Sequence, residues 1–219
     1  MRYLYQPPPA QALHILFQDE TILMVDKPSG LLSVPGRGED RQDCMSSRVQ
    51  DVFPEALVVH RLDMSTSGIM VFALNQAMQR DLNALFANRE VHKTYTAVVH
   101  GLLVEDKGEI NQPLMTDWEN RPRQKIDTEH GKASKTLYQV VSRDVEKQTC
   151  VLCLTPITGR SHQLRLHMAW LEHPILGDKF YAPRAVQQQA DRLLLHATSI
   201  RFQHPISQEM LDIHCALGW

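Results

Sequence analysis

The chain has 219 residues, a formal net charge of −2 and 43% hydrophobic residues, as expected for a globular protein with one large domain. No apolar run approaches the roughly 20 residues of a membrane helix, and the N-terminus has no apolar signal core, so we expect a cytoplasmic protein with no membrane partner. The small net charge argues against indiscriminate nucleic-acid binding. It leaves RNA open, because counterion release depends on local phosphate contacts.

The first third of the chain has mainly strand patterns. Residues 13–17 and 21–27 predict two strands joined by a turn, and a loop rich in glycine and proline follows. Residues 43–53 predict a short helix, and the apolar run 69–74 predicts another strand.

The middle of the chain predicts one helix, one strand and one long loop. Asn75 is the expected cap of a helix that extends to residue 89, because the apolar residues after it have helical spacing. Residues 93–102 alternate like a strand. Residues 117–131 are polar and without periodicity, which indicates a surface loop.

The last third predicts more strands around one helix. Strands are expected at 134–142 and 149–154, and Ser161 is the expected cap of a helix. Residues 193–202 and 209–215 would form a final hairpin. This order favours an α+β fold with a mostly antiparallel sheet.

Cys150 and Cys153 are the only closely spaced cysteines of the four in the chain. Three residues apart on a strand, their side chains point to opposite faces, so neither a redox pair nor half of a zinc site is expected. We expect free thiols in a reducing cytoplasm.

Asp63 lies between an apolar run and a turn rich in serine and threonine, where a ligand could reach its carboxylate. The alternative is a structural aspartate that accepts bonds from the Ser65 or Thr66 amides. Arg61, two residues earlier, shares the strand face of Asp63.

Arg165 lies beside the apolar stripe of the helix predicted after Ser161. An arginine there can hold a carboxylate in a partly dry cleft, or simply be solvated. A metal site formed by His162, His167 and His173 is not expected, because the five-residue step places the first two far apart around the helix.

Two features suit contacts to RNA. The ring of Tyr95, on the strand at 93–102, could stack on a base or only pack in the core. Arg121, Arg123 and Lys125 place three cations within five residues, which suits phosphate contacts or a solvated loop.

Six segments of the chain together carry a resemblance to the RluA-type pseudouridine synthases, and most closely to the subgroup that modifies both a tRNA anticodon stem-loop and a 23S rRNA hairpin. They are residues 26–31 (Asp-Lys-Pro-Ser-Gly-Leu), 60–63 (His-Arg-Leu-Asp) with 66–68 (Thr-Ser-Gly), 93–95 (Lys-Thr-Tyr), 159–165 (Gly-Arg-Ser-His-Gln-Leu-Arg), 173–178 (His-Pro-Ile-Leu-Gly-Asp) and 195–197 (Leu-His-Ala).

The resemblance implies a role for each matching residue. Asp63 matches the essential carboxylate, Tyr95 the tyrosine that contacts the base, and Arg165 the arginine that pairs with the aspartate. Arg61 matches an arginine that fills the gap left by a flipped uridine. The implied reaction isomerises uridine in structured RNA without a cofactor or metal, and Asp63 could attack the sugar, attack the base or only stabilise charge.

The resemblance also implies an organisation, in which a mostly antiparallel mixed sheet and its flanking helices and loops form a central catalytic cleft. Residues 1–12 would be an N-terminal extension and residues 13–219 the catalytic domain, with no separate N-terminal RNA-binding domain and a monomeric state. Arg121, Arg123 and Lys125 would then supply RNA contacts. Two other classes remain as alternatives: a non-catalytic RNA-binding module, and a hydrolase that releases uracil from its N-glycosidic bond.

Overall fold

The computed structural model describes residues 5–219, which divide into two compact units. The first unit comprises residues 5–92 with 197–219, and the second comprises Lys93–His196. No helix within the described residues combines the length and apolar character needed to cross a membrane. The boundary expected at residue 13 stays a prediction.

The elements follow in chain order. The strands are β1 (Ile15–Gln18), β2 (Ile22–Lys27), β3 (Leu57–Val58), β4 (Ser67–Ala73), β5 (His92–His100), β6 (Lys107–Asn111), β7 (Leu114–Thr116), β8 (Gln124–Ile126), β9 (Lys135–Asp144), β10 (Thr149–Pro156), β11 (Leu195–Gln203) and β12 (Met210–His214). The helices are α1 (Met45–Gln50), α2 (Gln76–Asn88), α3 (Gln163–Trp170) and α4 (Arg184–Gln187), and Glu39–Arg41 forms one 3-10 turn.

In the first unit the strand neighbours are β1-β2-β4-β11, with β12 beside β11 and β3 beside β4. Ile22 and Met24 of β2 belong to one buried cluster, whereas Leu23 and Val25 belong to another. Alternate residues of a strand face opposite sides of a sheet. This strand is therefore buried on both faces, which explains its continuous apolar run.

The second unit has the strand neighbours β5-β10-β9-β6, all paired antiparallel. Its largest buried cluster joins these strands to α3 through Leu164 and Met168. Cys150 belongs to this cluster and Cys153 is half-buried, and neither forms a disulfide. The strand-rich architecture with few helices confirms the expected α+β class.

The predicted cap of α2 is confirmed, since the Asn75 carboxamide accepts a bond of 2.8 Å from the Met78 amide. The final hairpin is confirmed as well, with β11 and β12 antiparallel.

The predicted cap at Ser161 is wrong. The cap position is His162, which has a left-handed φ of 55° and makes no side-chain cap bond. Gln163 instead secures this end, because its Oε1 accepts from the Arg160 amide at 3.1 Å and from the Thr158 hydroxyl at 2.7 Å.

The loop expected over 117–131 is only partly right. It contains β8, which pairs antiparallel with β7 and places Met115 opposite Lys125. Strands of three residues are too short for alternation to be visible in the sequence. The residues that join them, 117–123, form the tip of this hairpin.

Candidate active site

The Asp63 segment is the turn that precedes β4. The Thr66 amide donates to the Asp63 backbone carbonyl at 3.0 Å, as expected for a turn. Leu62 and Thr66 are buried, Asp63 is half-buried, and Arg61 is exposed. Asp63 therefore lies in a turn bounded by buried Leu62 and buried Thr66, while it stays partly accessible to solvent.

Two serines fix the backbone around Asp63. The Ser33 hydroxyl donates to the Leu62 carbonyl at 2.7 Å and accepts from the Leu62 amide at 3.0 Å. The Ser29 hydroxyl donates to the Ser65 carbonyl at 2.7 Å. These bonds tie the turn to the loop after β2 and limit its freedom to move.

Lys27 is a buried cation beneath the same turn, with no exposed surface. Its ammonium donates to the carbonyls of Pro28 at 2.9 Å, Leu31 at 2.7 Å and Met64 at 3.2 Å. A buried ammonium is tolerated only when its donors are satisfied. Lys27 therefore joins the loop at 28–31 to the residue after Asp63.

His60 and Gly68 fix the two ends of the segment. His60 Nε2 accepts from the Val71 amide at 3.0 Å, and its ring stacks on Phe86 with centroids 4.9 Å apart. Gly68 has a φ of 108°, and a Cβ there would lie 2.3 Å from the Ala197 carbonyl oxygen. Only glycine fits this position without displacing the backbone.

Tyr95 lies on β5 opposite Leu154 of β10 and packs, half-buried, against the core of the second unit. Ala97, two residues later on the same face, is fully buried. Burial also lowers the pKa of Lys93, two residues earlier, by disfavouring its charged form. Tyr95 therefore packs against the core of the second unit and remains partly exposed to solvent.

Arg165 lies on the first turn of α3, almost fully buried, and is bound by Asp178. Its Nε donates to Oδ2 at 2.8 Å and its Nη2 to Oδ1 at 2.6 Å, a two-point contact between groups that are 3% and 1% exposed. The Phe180 amide also donates to Oδ1 at 2.9 Å. This burial excludes the solvated arginine that was one of the two alternatives for Arg165. Asp178 was not predicted as its partner, and the pairing with Asp63 stays a prediction.

Aromatic rings enclose Arg165. Its Cζ lies 5.0 Å from the Phe180 ring centre and 5.4 Å from that of Tyr181. The Tyr181 hydroxyl accepts from the Gln124 amide at 2.8 Å and lies 2.7 Å from His162 Nδ1. The hairpin of β7 and β8 is therefore joined directly to the surroundings of Arg165.

The three cations expected to contact RNA are exposed on this hairpin. Arg121 lies over the Trp118 ring at 4.4 Å, Arg123 is 5.9 Å from the Phe180 ring centre, and Lys125 forms an ion pair of 3.6 Å with Asp127. Residues 117–127 also contain three carboxylates, so the local net charge is zero rather than positive.

The histidines considered for a metal site do not converge. His167 Nε2 bonds the Gln112 carbonyl at 3.0 Å and its Nδ1 the Thr136 hydroxyl at 2.9 Å. His173 Nδ1 bonds the His100 carbonyl at 2.9 Å. These hydrogen bonds are contacts within the second unit, and they give the His167 and His173 rings a structural role.

Comparison with known proteins identifies the family. The family model described as RNA pseudouridylate synthase matches residues 21–170, more than half of the chain. The chain belongs to the RNA pseudouridylate synthase family. It is therefore an RNA pseudouridine synthase, an isomerase with an RNA substrate, and the predicted resemblance and enzyme class are confirmed.

Relatives of this RNA pseudouridine synthase match over nearly its whole length. The dual-specificity RNA pseudouridine synthase RluA of Pasteurella multocida (strain Pm70) is 53% identical over 95% of this chain and 94% of its own. The protein of the same name from Escherichia coli (strain K12) is 50% identical over 92% and 91%. The solved structure of human RNA Pseudouridylate Synthase Domain Containing 1 is 28% identical, with a TM-score of 0.81 over 97% of this chain and 86% of its own.

Three residues that organise this synthase have no predicted role in the sequence: Lys27, Asp178 and Tyr181. Lys27 and Asp178 lie inside the segments that carried the resemblance. A lysine that ends an otherwise buried strand could have been recognised as a buried charge. The role of Tyr181 had no comparable signal, because its partners lie far away in sequence.

Proposed function

We propose that this synthase has dual specificity and converts uridine to pseudouridine in a tRNA anticodon stem-loop and in a 23S rRNA hairpin. The supporting observation is 50–53% identity, over more than nine-tenths of the chain, to relatives named as dual-specificity enzymes. Such targets are recognised by loop shape and unpaired bases as much as by sequence.

In this proposal Asp63 is the catalytic carboxylate and acts in its ionised form. A uridine in a stem-loop must leave the base stack before its glycosidic bond can be reached, at a cost of a few kcal/mol. The bonds from Lys27, Ser29 and Ser33 to the surrounding backbone support this role, because they hold the turn rigidly while Asp63 stays partly accessible.

Arg61 is proposed to occupy the space left by the flipped base. Its side chain is exposed, whereas Leu62 after it is buried and holds the backbone in place. A planar guanidinium stacks well on neighbouring bases and would offset part of the cost of flipping.

Tyr95 and Arg165 are proposed to complete the catalytic set. The partly exposed Tyr95 ring would stack on the uracil, and Arg165 matches the arginine that pairs with the catalytic aspartate in the family it resembles. Asp178 binds Nε and Nη2 of Arg165 and compensates its charge, so the guanidinium is held in a fixed orientation.

We further propose that the enzyme works as a cytoplasmic monomer without a metal or cofactor. Isomerisation moves no electrons or groups into or out of the substrate, so the reaction balances without a redox or group-transfer partner. Four free cysteines fit a reducing compartment.

The test is Asp63→Asn, with Asp51→Asn as a control at the exposed end of α1. We expect Asp63→Asn to abolish pseudouridine formation in a synthetic anticodon stem-loop and leave the Kd for that RNA unchanged. Substantial pseudouridine from Asp63→Asn would refute the assignment of Asp63.

Two further measurements test these proposals. No free uracil should appear in the wild-type reaction, because an isomerase reattaches the base to the same RNA strand. Mapping pseudouridine in tRNA and 23S rRNA from cells that lack the protein tests dual specificity: loss at sites in both RNAs supports it, and loss in only one refutes it.

A further inference from the structure

Trp118, at the tip of the hairpin formed by β7 and β8, is 63% exposed. Tryptophan carries a large apolar area, and leaving it in water forgoes the stabilisation that burial would supply. Trp118 packs in none of the buried clusters of the second unit. Its ring therefore contributes little to the core of the second unit and is accessible to a ligand.

One cation lies against the Trp118 ring, and two hydrogen bonds order the turn that carries it. The Arg121 guanidinium lies 4.4 Å from the ring centre, and its Nε donates to the Trp118 carbonyl at 3.4 Å. The Asp117 carboxylate accepts from the Asn120 side chain at 2.9 Å, which closes the turn. A ring ordered before binding loses less conformational entropy when a ligand stacks on it.

The hairpin that carries Trp118 is anchored beside Arg165 within the second unit. The Gln124 amide donates to the Tyr181 hydroxyl at 2.8 Å, and the Tyr181 ring centre is 5.4 Å from Arg165 Cζ. RNA bound at the hairpin tip would thus be held on an element that directly contacts the surroundings of a proposed catalytic residue.

We propose that Trp118, with Arg121 against it, is a stacking site for an unpaired base of the RNA substrate. Every nucleobase has a π-face that can stack on the exposed part of the indole, and the Arg121 cation can contact the adjacent phosphate. Because the local net charge is zero, stacking on Trp118 contributes more to RNA binding at this tip than attraction between the tip and the phosphates. The inference depends on the proposed stem-loop substrate.

The experiment measures the Kd of the full chain for a synthetic tRNA anticodon stem-loop. Trp118→Ala and Trp118→Leu remove the aromatic face, Trp118→Phe retains one, and Trp170→Ala is the control at another exposed tryptophan of the same unit. We expect Kd to rise about 5- to 100-fold for the Ala and Leu variants, to recover largely with Phe, and to stay unchanged for Trp170→Ala.

Tryptophan fluorescence supplies an independent readout. Saturating stem-loop RNA should quench the wild-type signal, and the quenching should be largely absent in Trp118→Phe. The same RNA strand fully paired to its complement should bind wild type and Trp118→Ala with similar affinity, because it offers no unpaired base.

The outcomes separate this inference from the proposed function. If the wild type forms pseudouridine and both Trp118→Ala and Trp118→Leu bind the stem-loop as tightly as it does, the stacking site is refuted and the function stands. If the wild type forms no pseudouridine in this RNA but the fluorescence and Kd changes appear, the stacking site stands and the proposed substrate is refuted.

Discussion

Arg165 and Asp178 form a buried two-point ion pair, with N–O distances of 2.8 and 2.6 Å. Both side chains are almost completely excluded from water. The Phe180 and Tyr181 amides also donate to the Asp178 carboxylate, so its orientation is set by its own turn. Asp178 therefore fixes the position of Arg165, which sequence reasoning placed in the catalytic set.

Asp178→Asn should destabilise the protein by about 3–5 kcal/mol, because it removes the carboxylate charge that binds the buried Arg165 guanidinium at two points. Urea denaturation measures the free energy of unfolding, with Asp191→Asn as an exposed control in the same unit. The double variant Arg165→Met with Asp178→Leu should recover most of the stability and remain inactive. An unchanged free energy of unfolding in Asp178→Asn would show that the Arg165–Asp178 pair does not stabilise the fold.

Lys27→Met should lower the free energy of unfolding by about 3 kcal/mol or more, since three carbonyls lose a charged donor and each such bond contributes about 1.5–3 kcal/mol. Arg80→Met is the control, because Arg80 is an exposed cation of the same unit. Equal unfolding midpoints for the two variants would show that Lys27 does not support the loop.

His167 should make stability depend on pH. Burial lowers its pKa from the ordinary value, so below about pH 6.5 the unfolded chain binds more protons than the folded one. The free energy of unfolding should therefore fall as the pH drops through that region, by at most about 1.4 kcal/mol per unit for this group.

The matched variants for that measurement are His167→Gln and His130→Gln. Glutamine at 167 can donate to the Gln112 carbonyl and accept from the Thr136 hydroxyl without titrating. We expect a shallower decline between pH 7.5 and 5 for His167→Gln, and the wild-type decline for the exposed His130→Gln. Parallel curves for all three proteins would exclude His167 as the source.

Replacing Arg121 and Arg123 by Ala should weaken RNA binding and flatten its dependence on salt. Each lost phosphate contact reduces the slope of log K against log salt by about 0.7–0.9. Binding titrations at several salt concentrations measure this slope, with the exposed Lys147→Ala as control. An unchanged slope in the double variant would remove these two cations from the RNA interface.

The sequence alone was enough to predict the features that depend on residues close together in the chain. The alternating or continuous apolar runs located β2, β4, β5 and β10, and helical spacing with an Asn cap located α2. Ordered motifs around Asp63, Tyr95 and Arg165 were enough to identify the family, which the comparisons confirmed. Periodicity failed where strands have three residues, as in β7 and β8.

Only the tertiary structure decided which groups support these residues. Asp178, which binds Arg165 at two points, lies 13 positions later, and Lys27 reaches the carbonyl of Met64, 37 positions away. Backbone carbonyls are chemically alike at every position, and the sequence contains several carboxylates that could pair with a buried cation. Their selection depends on which segments the folded chain brings within hydrogen-bond distance, a property that no local pattern encodes.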